Sequence, residues 1–201
     1  MDKGTFIVVS APSGAGKSSI CQRLLQAYPE IRFSVSCTTR SPRPGEIDGQ
    51  DYFFLSSEEF QKRIEQDDFA EWEENFGNLY GTSMRTMKES LANGFTVLLD
   101  IEPRGAKEIK KKFRGGTFVF VLPPSREELL KRLEGRGHED PDAIQARYAE
   151  AERELKEISW YDYVIFNDDL ETAVNQLISI YIAQKCKIIN LKAKIEQFMK
   201  K

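Results

Sequence analysis

Residues 11–18, Ala11-Pro12-Ser13-Gly14-Ala15-Gly16-Lys17-Ser18, carry the residue types that hold phosphate. They follow the apolar run Phe6-Ile7-Val8-Val9 and open a helical stretch from Ser18 to Ala27. The pattern is G-x-x-x-x-G-K-[ST], with Ala11 in place of the first glycine. Gly14 and Gly16 let the backbone curl so that successive N–H groups converge on phosphate oxygens. The start of the helix adds its partial positive charge at the same spot. Lys17 is a point charge for β- and γ-phosphates, and the Ser18 hydroxyl can ligate Mg²⁺ that arrives with ATP. A glycine-rich turn without a ligand has no need of strand, loop, Lys-Ser and helix in register. The alanine at position 11 implies only that this position does without a positive φ.

Two further features bear on the same chemistry. Asp100 ends the apolar run Phe95 to Leu99, where a parallel sheet presents its ligands. By position it is a carboxylate behind a metal ion or a contact to an acceptor. The basic stretch Arg126 to Arg147, with Gly135 and Gly137 between two helices, reads as a mobile lid.

The run Ser36-Cys37-Thr38-Thr39-Arg40-Ser41-Pro42-Arg43-Pro44-Gly45-Glu46, followed by Gly49 to Phe54, resembles the monophosphate-binding lobe of guanylate kinases. Phe69-Ala70-Glu71-Trp72, Gly77 to Thr82, Leu99 to Gly105, Leu133 to Gly137 and Asn167-Asp168-Asp169 continue the likeness, which spans roughly residues 4 to 184. Leu79, where tyrosine is frequent, and Trp72-Glu73-Glu74 depart from the family pattern. The resemblance implies that Arg40, Arg43, Tyr52 and Tyr80 hold the phosphate of GMP, and that Ser36, Glu71, Thr82 and Asp100 surround its guanine. It also implies that Arg132, Arg136 and Arg147 reach the transferring phosphoryl, with Lys17 and Arg40 sharing in catalysis. A core, a GMP lobe and a lid would close over ATP and GMP, with dGMP as a further acceptor.

The residue types agree with those roles. Arginine forks match phosphate oxygens bidentately, so Arg40 and Arg43 in a Pro/Gly loop with two tyrosyl hydroxyls make a monophosphate clamp. Guanine presents N1–H and an exocyclic amine side by side, and an ionised Glu71 only accepts. Adenine lacks that donor pair, which costs roughly four to five decades in discrimination at a buried polar site. The acceptor oxygen belongs to a phosphate with a second pKa near 6, so no general base is required. His138, in the lid stretch, is then an exposed loop residue. A non-catalytic phosphopeptide-binding relative would show an eroded loop or lack the lid arginines, and here they stand. A sugar-phosphate kinase would have no use for Glu71 with Ser36.

Short β-rich runs alternate with helices, which predicts an α/β fold: a three-layer P-loop core with a parallel sheet. The core takes residues 1–35, 83–125 and 160–201. An inserted lobe takes 36–82 and a helical lid 126–159. Strands are expected at Thr5–Ser10, Phe33–Thr39, Asp51–Leu55, Phe69–Tyr80 with a turn at Gly77-Asn78, Phe95–Leu99, Thr117–Leu122 and Tyr163–Phe166. Ser56 with Glu59 and Ser125 with Glu128 are capping boxes ahead of helices ending at Gln66 and Glu134. Ser83–Asn93 is helical, Asp140-Pro141 opens a helix to Ile158, and Asp169 begins one long helix to the end.

The 201 residues carry a net charge of −3, which disfavours a broad nucleic-acid or anionic-membrane surface. No apolar run is long enough for a signal peptide or a membrane span. Cys21, Cys37 and Cys186 are scattered and read as small apolar side chains in a cytoplasmic protein, not as disulfides or zinc ligands. In the last helix Leu177, Tyr181, Gln184, Ile188, Leu191, Ile195 and Phe198 recur at heptad-like spacing. That seam suits either a second copy of the chain or the chain's own domain.

Overall fold

A computed structural model describes residues 4–75, 77–135 and 141–200. Its main sheet has the order β2 (Arg32–Phe33), β7 (Thr96–Asp100), β1 (Thr5–Ser10), β8 (Thr117–Leu122), β9 (Tyr163–Phe166), with every pair parallel. Both faces of β1 are buried, as an apolar run without alternation requires. Ile7 and Val9 face α1 (Lys17–Ala27) and α7 (Leu170–Lys185) through Ile20, Leu24, Leu177 and Tyr181. Phe6 and Val8 face α3 (Met84–Ala92) and α4 (Pro103–Lys112) through Met87, Ala106 and Ile109. The result is the expected three-layer α/β core. Parallel pairing brings the carboxyl ends of β1 and β7 side by side, and that edge carries the site.

A second sheet has the order β4 (Phe53–Phe54), β3 (Cys37–Thr38), β6 (Asn78–Ser83), β5 (Phe69–Asn75). Its β5–β6 hairpin turns at Gly77 and packs on α2 (Ser57–Glu65), where Phe60 stacks on Phe69 with ring centroids 4.5 Å apart. Ser56 and Ser125 accept hydrogen bonds from Glu59 N and Glu128 N, so both predicted caps form. Ser125 leads α5 (Arg126–Glu134), which packs against α6 (Pro141–Glu154).

Several boundaries differ from the sequence expectation. The strand expected at Phe33–Thr39 is two short strands in two sheets. Ser34 N donates to Leu98 O in the main sheet, whereas Ser36 O accepts from Phe53 N in the second, so the chain changes partners within three residues. Helix α4 is not among the expected elements, and it contains two poor helix formers, Pro103 and Gly105. The proline occupies the first helical turn, where its missing N–H costs nothing, and the last turn carries Lys110, Lys111 and Lys112 at the negative end of the dipole. Helix α6 gives way to a 3₁₀ segment, Leu155–Trp160, before Ile158 is reached. Cys21 and Cys37 are buried, but Cys186 is exposed.

The largest correction concerns the C-terminus, which is not one helix. Helix α7 stops at Lys185, a 3₁₀ turn covers Ile188–Asn190, and α8 spans Lys192–Met199. The Asn190 side chain donates to Gln184 O, 2.7 Å, taking the carbonyl a continuing helix would offer to residue 188. Leu177, Tyr181 and Gln184 are buried on the chain's own sheet, whereas Ile188 and Phe198 are 78% and 77% exposed. Gln184 is there for polar reasons. Its amide oxygen accepts from Thr117 Oγ1 (2.7 Å) and its nitrogen donates to Thr5 Oγ1 (2.7 Å) and Gly115 O (2.9 Å), which joins α7 to β1 and β8.

Truncation of Gln184 would orphan these buried partners together. Gln184→Ala is therefore expected to lower unfolding free energy by about 3 kcal/mol. Urea denaturation measures it, and a loss below about 1 kcal/mol would show that water replaces the amide without penalty.

Candidate active site

The loop after β1 is shaped by two residues in the left-handed region, Gly14 at φ +90° and Gly16 at φ +88°. A Cβ on Gly16 would lie 2.3 Å from Asn167 Nδ2, so close approach as well as φ demands glycine there. Asn167, just past β9, donates to Ala15 O at 2.7 Å and fixes the loop from the far side of the sheet. Ala15 N closes the turn onto Pro12 O, 3.1 Å. No acidic residue occupies the first turn of α1, which leaves its positive end available to an anion. Ala11, Pro12, Ser13, Gly14, Ala15, Gly16, Lys17 and Ser18 together line a cavity of about 170 Å³.

Lys17 Nζ lies 2.8 Å from Asp100 Oδ1 and 3.5 Å from Glu102 Oε1, and it donates to Ile101 O at 3.4 Å. Burial by itself would pull this ammonium down, but Asp100 and then Glu102 more than reverse that and hold it above ordinary lysine. The Ser18 hydroxyl donates to Asp100 Oδ2, 3.2 Å. Asp100 is thus held beside the glycine loop, and it also lines the cavity that contains Glu71 and Tyr80. Ser18 and Asp100 converge as hard oxygen donors beside the loop, the set that fits an ion like Mg²⁺ taking most of its shell from phosphate and water.

A second cleft is built on the β5–β6 hairpin. Its register pairs Glu71 with Thr82, Glu73 with Tyr80 and Asn75 with Asn78. Thr82 is fully buried and its hydroxyl donates to Glu71 Oε1, while Glu71 itself is only 4% exposed. Glu71 Oε2 lies where a Cβ on Gly105 would come within 2.4 Å, so α4 closes over the carboxylate. Burial pushes the Glu71 carboxyl up to about 7, against the pull of its Thr82 hydrogen bonds. Ser36, Arg43, Tyr52, Glu71, Tyr80 and Asp100 share a cavity of about 260 Å³ with Lys17, Ser18 and Arg147.

Arg40 stands at the edge of this group. Its guanidinium pairs with Glu46 at 2.8 Å and donates to Ser41 O at 2.8 Å, while lying 5.3 Å over the Tyr52 ring. Glu46 also accepts from Arg43 N, 2.7 Å, which ties the two arginines of the loop together. Arg132 pairs with Glu128 at 2.9 Å, donates to Asn167 O at 3.3 Å and packs above Gly14. Arg147 lines both cavities. Arg136, with Gly137, His138, Asp140 and Phe76, lies outside the described residues.

Sequence reasoning assigned no role to Glu73, Glu102, Glu154 or Asn167. Glu102 is the N-cap residue of α4 and its carboxylate faces Lys17. Burial, and then the Glu102 carboxylate facing it, push Glu154 of α6 up. Glu73 was within reach, because alternation along β5 puts it on the same face as Glu71. The contacts of Asn167 and Glu154 span 152 and 52 residues of sequence and left no local signal.

The sequence profile described as guanylate kinase matches residues 3–184. The guanylate kinase of Syntrophus aciditrophicus is 52% identical over 194 residues, 96% of this chain and 93% of its own length. That of Geobacter sulfurreducens is 48% identical over 185 residues, 92% of this chain and 91% of its own. The crystal structure of guanylate kinase from Anaplasma phagocytophilum superposes with a TM-score of 0.78 at 31% identity, covering 94% of this chain and 90% of that one.

The burial of Glu71 sets a pH dependence. A carboxyl raised from 4.5 to about 7 binds its proton more tightly in the folded state. That stability is complete below pH 4.5 and is lost as pH rises through about 7. Glu71→Gln has no such proton to lose. In the nucleotide-free protein it is expected to gain about 3 kcal/mol on the wild type between pH 4.5 and pH 8. Parallel stability curves for the two proteins across that range would contradict it.

Proposed function

The chain belongs to the guanylate kinase family, and from that we infer how its own residues divide the work. It is a nucleoside monophosphate kinase that transfers the γ-phosphoryl of ATP to GMP, giving ADP and GDP. Residues 11–18 take the ATP phosphates. Ser36, Glu71 and Thr82 take the guanine, and Arg40, Arg43, Tyr52 and Tyr80 take the GMP phosphate. Residues 36–82 act as the acceptor lobe and 126–159 as a lid bringing Arg132, Arg136 and Arg147 to the moving group. The observation that carries this division is the single cleft in which Lys17, Arg43, Glu71 and Tyr80 meet.

An oxygen of the GMP phosphate attacks the γ-phosphorus as the bond to the β-phosphate oxygen breaks, and ADP leaves with that electron pair. The attacking phosphate is already ionised near neutrality, so no residue need remove a proton. Alignment and charge neutralisation remain as the protein's task. Lys17 exchanges its carboxylate partners for β- and γ-phosphate oxygens, keeping an ammonium in a site from which water is excluded. Arg40 likewise exchanges Glu46 for the acceptor phosphate. Ser18 and Asp100 would hold Mg²⁺, which when bound screens the charge on the ATP phosphates. Glu71 meets guanine N1–H and the 2-amino group, and those donors draw its raised carboxyl to the ionised form. dGMP carries the same base and phosphate and serves as a second acceptor. The free thiols of Cys21, Cys37 and Cys186 suit a reducing, cytosolic setting. The exposed part of the seam, Ile188, Ile195 and Phe198, is the part we assign to a second copy.

Production of ADP from MgATP with GMP, AMP, UMP or a sugar phosphate offered separately tests the assignment. Turnover is expected with GMP alone and is expected to fall at least roughly a hundredfold in Lys17→Ala. Glu71→Gln should lower kcat/KM for GMP by roughly a hundredfold while the KM for ATP stays unchanged. Equal losses toward both nucleotides would remove Glu71 from the guanine site. Turnover with no acceptor by a folded protein would favour a binding module. For the tail, removal of residues 188–201 is expected to lower the mass seen in light scattering, and an unchanged mass would sink the second copy.

A further inference from the structure

We propose that Glu73 accepts hydrogen bonds from the ribose hydroxyls of the acceptor nucleotide and makes this enzyme select GMP over dGMP. The inference rests on the assignment of guanine to Glu71 and of the acceptor phosphate to Arg40, Arg43, Tyr52 and Tyr80.

Position comes first. Along β5 the side chains of Glu71, Glu73 and Asn75 turn to one face, and Trp72 and Glu74 turn out to solvent. Across the hairpin, Glu71 stands opposite Thr82 and Glu73 stands directly opposite Tyr80. Side chains directly opposite in an antiparallel pair share a face, and successive positions on that face are about 6.8 Å apart. The base therefore belongs to the Glu71–Thr82 pair and the phosphate to the Tyr80 end of the next. The sugar that joins base to phosphate must cross in front of Glu73. Glu73 lines the same cavity as Lys17, Ser36, Tyr52, Glu71 and Tyr80.

Chemistry narrows what Glu73 does there. Its carboxyl has no hydrogen-bond or ion-pair partner among the described residues. Burial first, then Glu102 at the start of α4 and Glu71 of β5, push it up to about 8 against the pull of Lys17 and Arg104, and none of these groups is within bonding reach as a donor. A monophosphate nucleotide offers few. The donor edge of guanine is taken by Glu71, and the phosphate is an acceptor only. The 2′- and 3′-hydroxyls are the donors left, and a carboxyl oxygen accepts from them in either protonation state. The 2′-hydroxyl is the one that dGMP lacks.

Steady-state kcat/KM for GMP and for dGMP at saturating MgATP tests this in the full chain, wild type beside Glu73→Ala and Glu73→Gln. The wild type is expected to prefer GMP by roughly tenfold, the upper worth of one hydrogen bond to an uncharged carboxyl. Glu73→Ala is expected to bring the ratio below about threefold by lowering GMP and leaving dGMP unchanged. Glu73→Gln, whose amide oxygen still accepts, should fall between them. Retained dGMP turnover shows that the variants are folded. An identical ratio in wild type and Glu73→Ala overturns the inference and leaves the proposed function standing. Equal losses on both acceptors with a raised Mg²⁺ requirement also overturn it, and place Glu73 on the metal side. Absence of guanine turnover in the wild type overturns the function on which it rests.

Discussion

The ion pair between Lys17 and Asp100 links the ends of the two central strands of the main sheet. β1 delivers the lysine at the start of α1, and β7, its hydrogen-bonded neighbour, delivers the aspartate. Because the strands are parallel, their carboxyl ends share one edge, and the loop after β1 returns Lys17 to within reach of the end of β7. An ammonium so enclosed has to be partnered, or desolvation would discharge it. Asp100, Glu102 and the carbonyl of Ile101 supply partners while no phosphate is present. The same arrangement holds Ser18 on the second oxygen of Asp100. Nucleotide binding is then an exchange of anions around a fixed cation, with little reorganisation at the moment of reaction.

The second sheet answers a different constraint. In the role proposed for Glu71, a carboxylate that recognises guanine by accepting two hydrogen bonds must be dry, or water would satisfy it as well as the base does. Dryness comes from Thr82 across the hairpin and from α4, whose Gly105 admits the carboxylate against its backbone. The cost appears in the free protein, where Glu71 is held near neutrality by burial. A binding group that opposes folding until its ligand arrives is the usual conflict between stability and function. In this chain Gln184 works in the other direction, as a buried polar group wholly occupied by Thr5, Thr117 and Gly115. Both residues are polar and buried; they differ in whether the protein supplies their partners.

What was legible in the sequence follows the range of the interactions involved. The phosphate loop depends on φ values and helix polarity over eight residues, and residues 11–18 announce both. The hairpin showed through its glycine turn, and the parallel core through uninterrupted apolar runs. Recognition of Ser36, Arg43, Tyr52 and Tyr80 as one group needed the family resemblance, since nothing local joins residues so far apart. The failures share a cause. Phe33–Thr39 reads as one strand because each residue suits a strand, and only tertiary pairing divides it between two sheets. The C-terminal heptads continue through Gln184, and only the contacts of Gln184 and Asn190 show why the helix stops. The reasons for Pro103 and Gly105 lie in the folded chain, in the first turn of α4 and in the Glu71 carboxylate.

Among the described residues that line the two cavities, carboxylates outnumber arginines and lysines, and the excess has a physical role. Of the cations assigned to phosphate, three are paired with carboxylates in the free state, Lys17 with Asp100 and Glu102, Arg40 with Glu46, Arg132 with Glu128. Such pairs hold the cations in place, as bare like charges at this density would repel one another and splay the loops. They also set a threshold. A weak or singly charged anion gains too little to displace an internal carboxylate, whereas a phosphate reaching several N–H donors at once gains more than it displaces. The acidic surroundings of a phosphate site thus act as a filter on charge, applied before the hairpin reads the base.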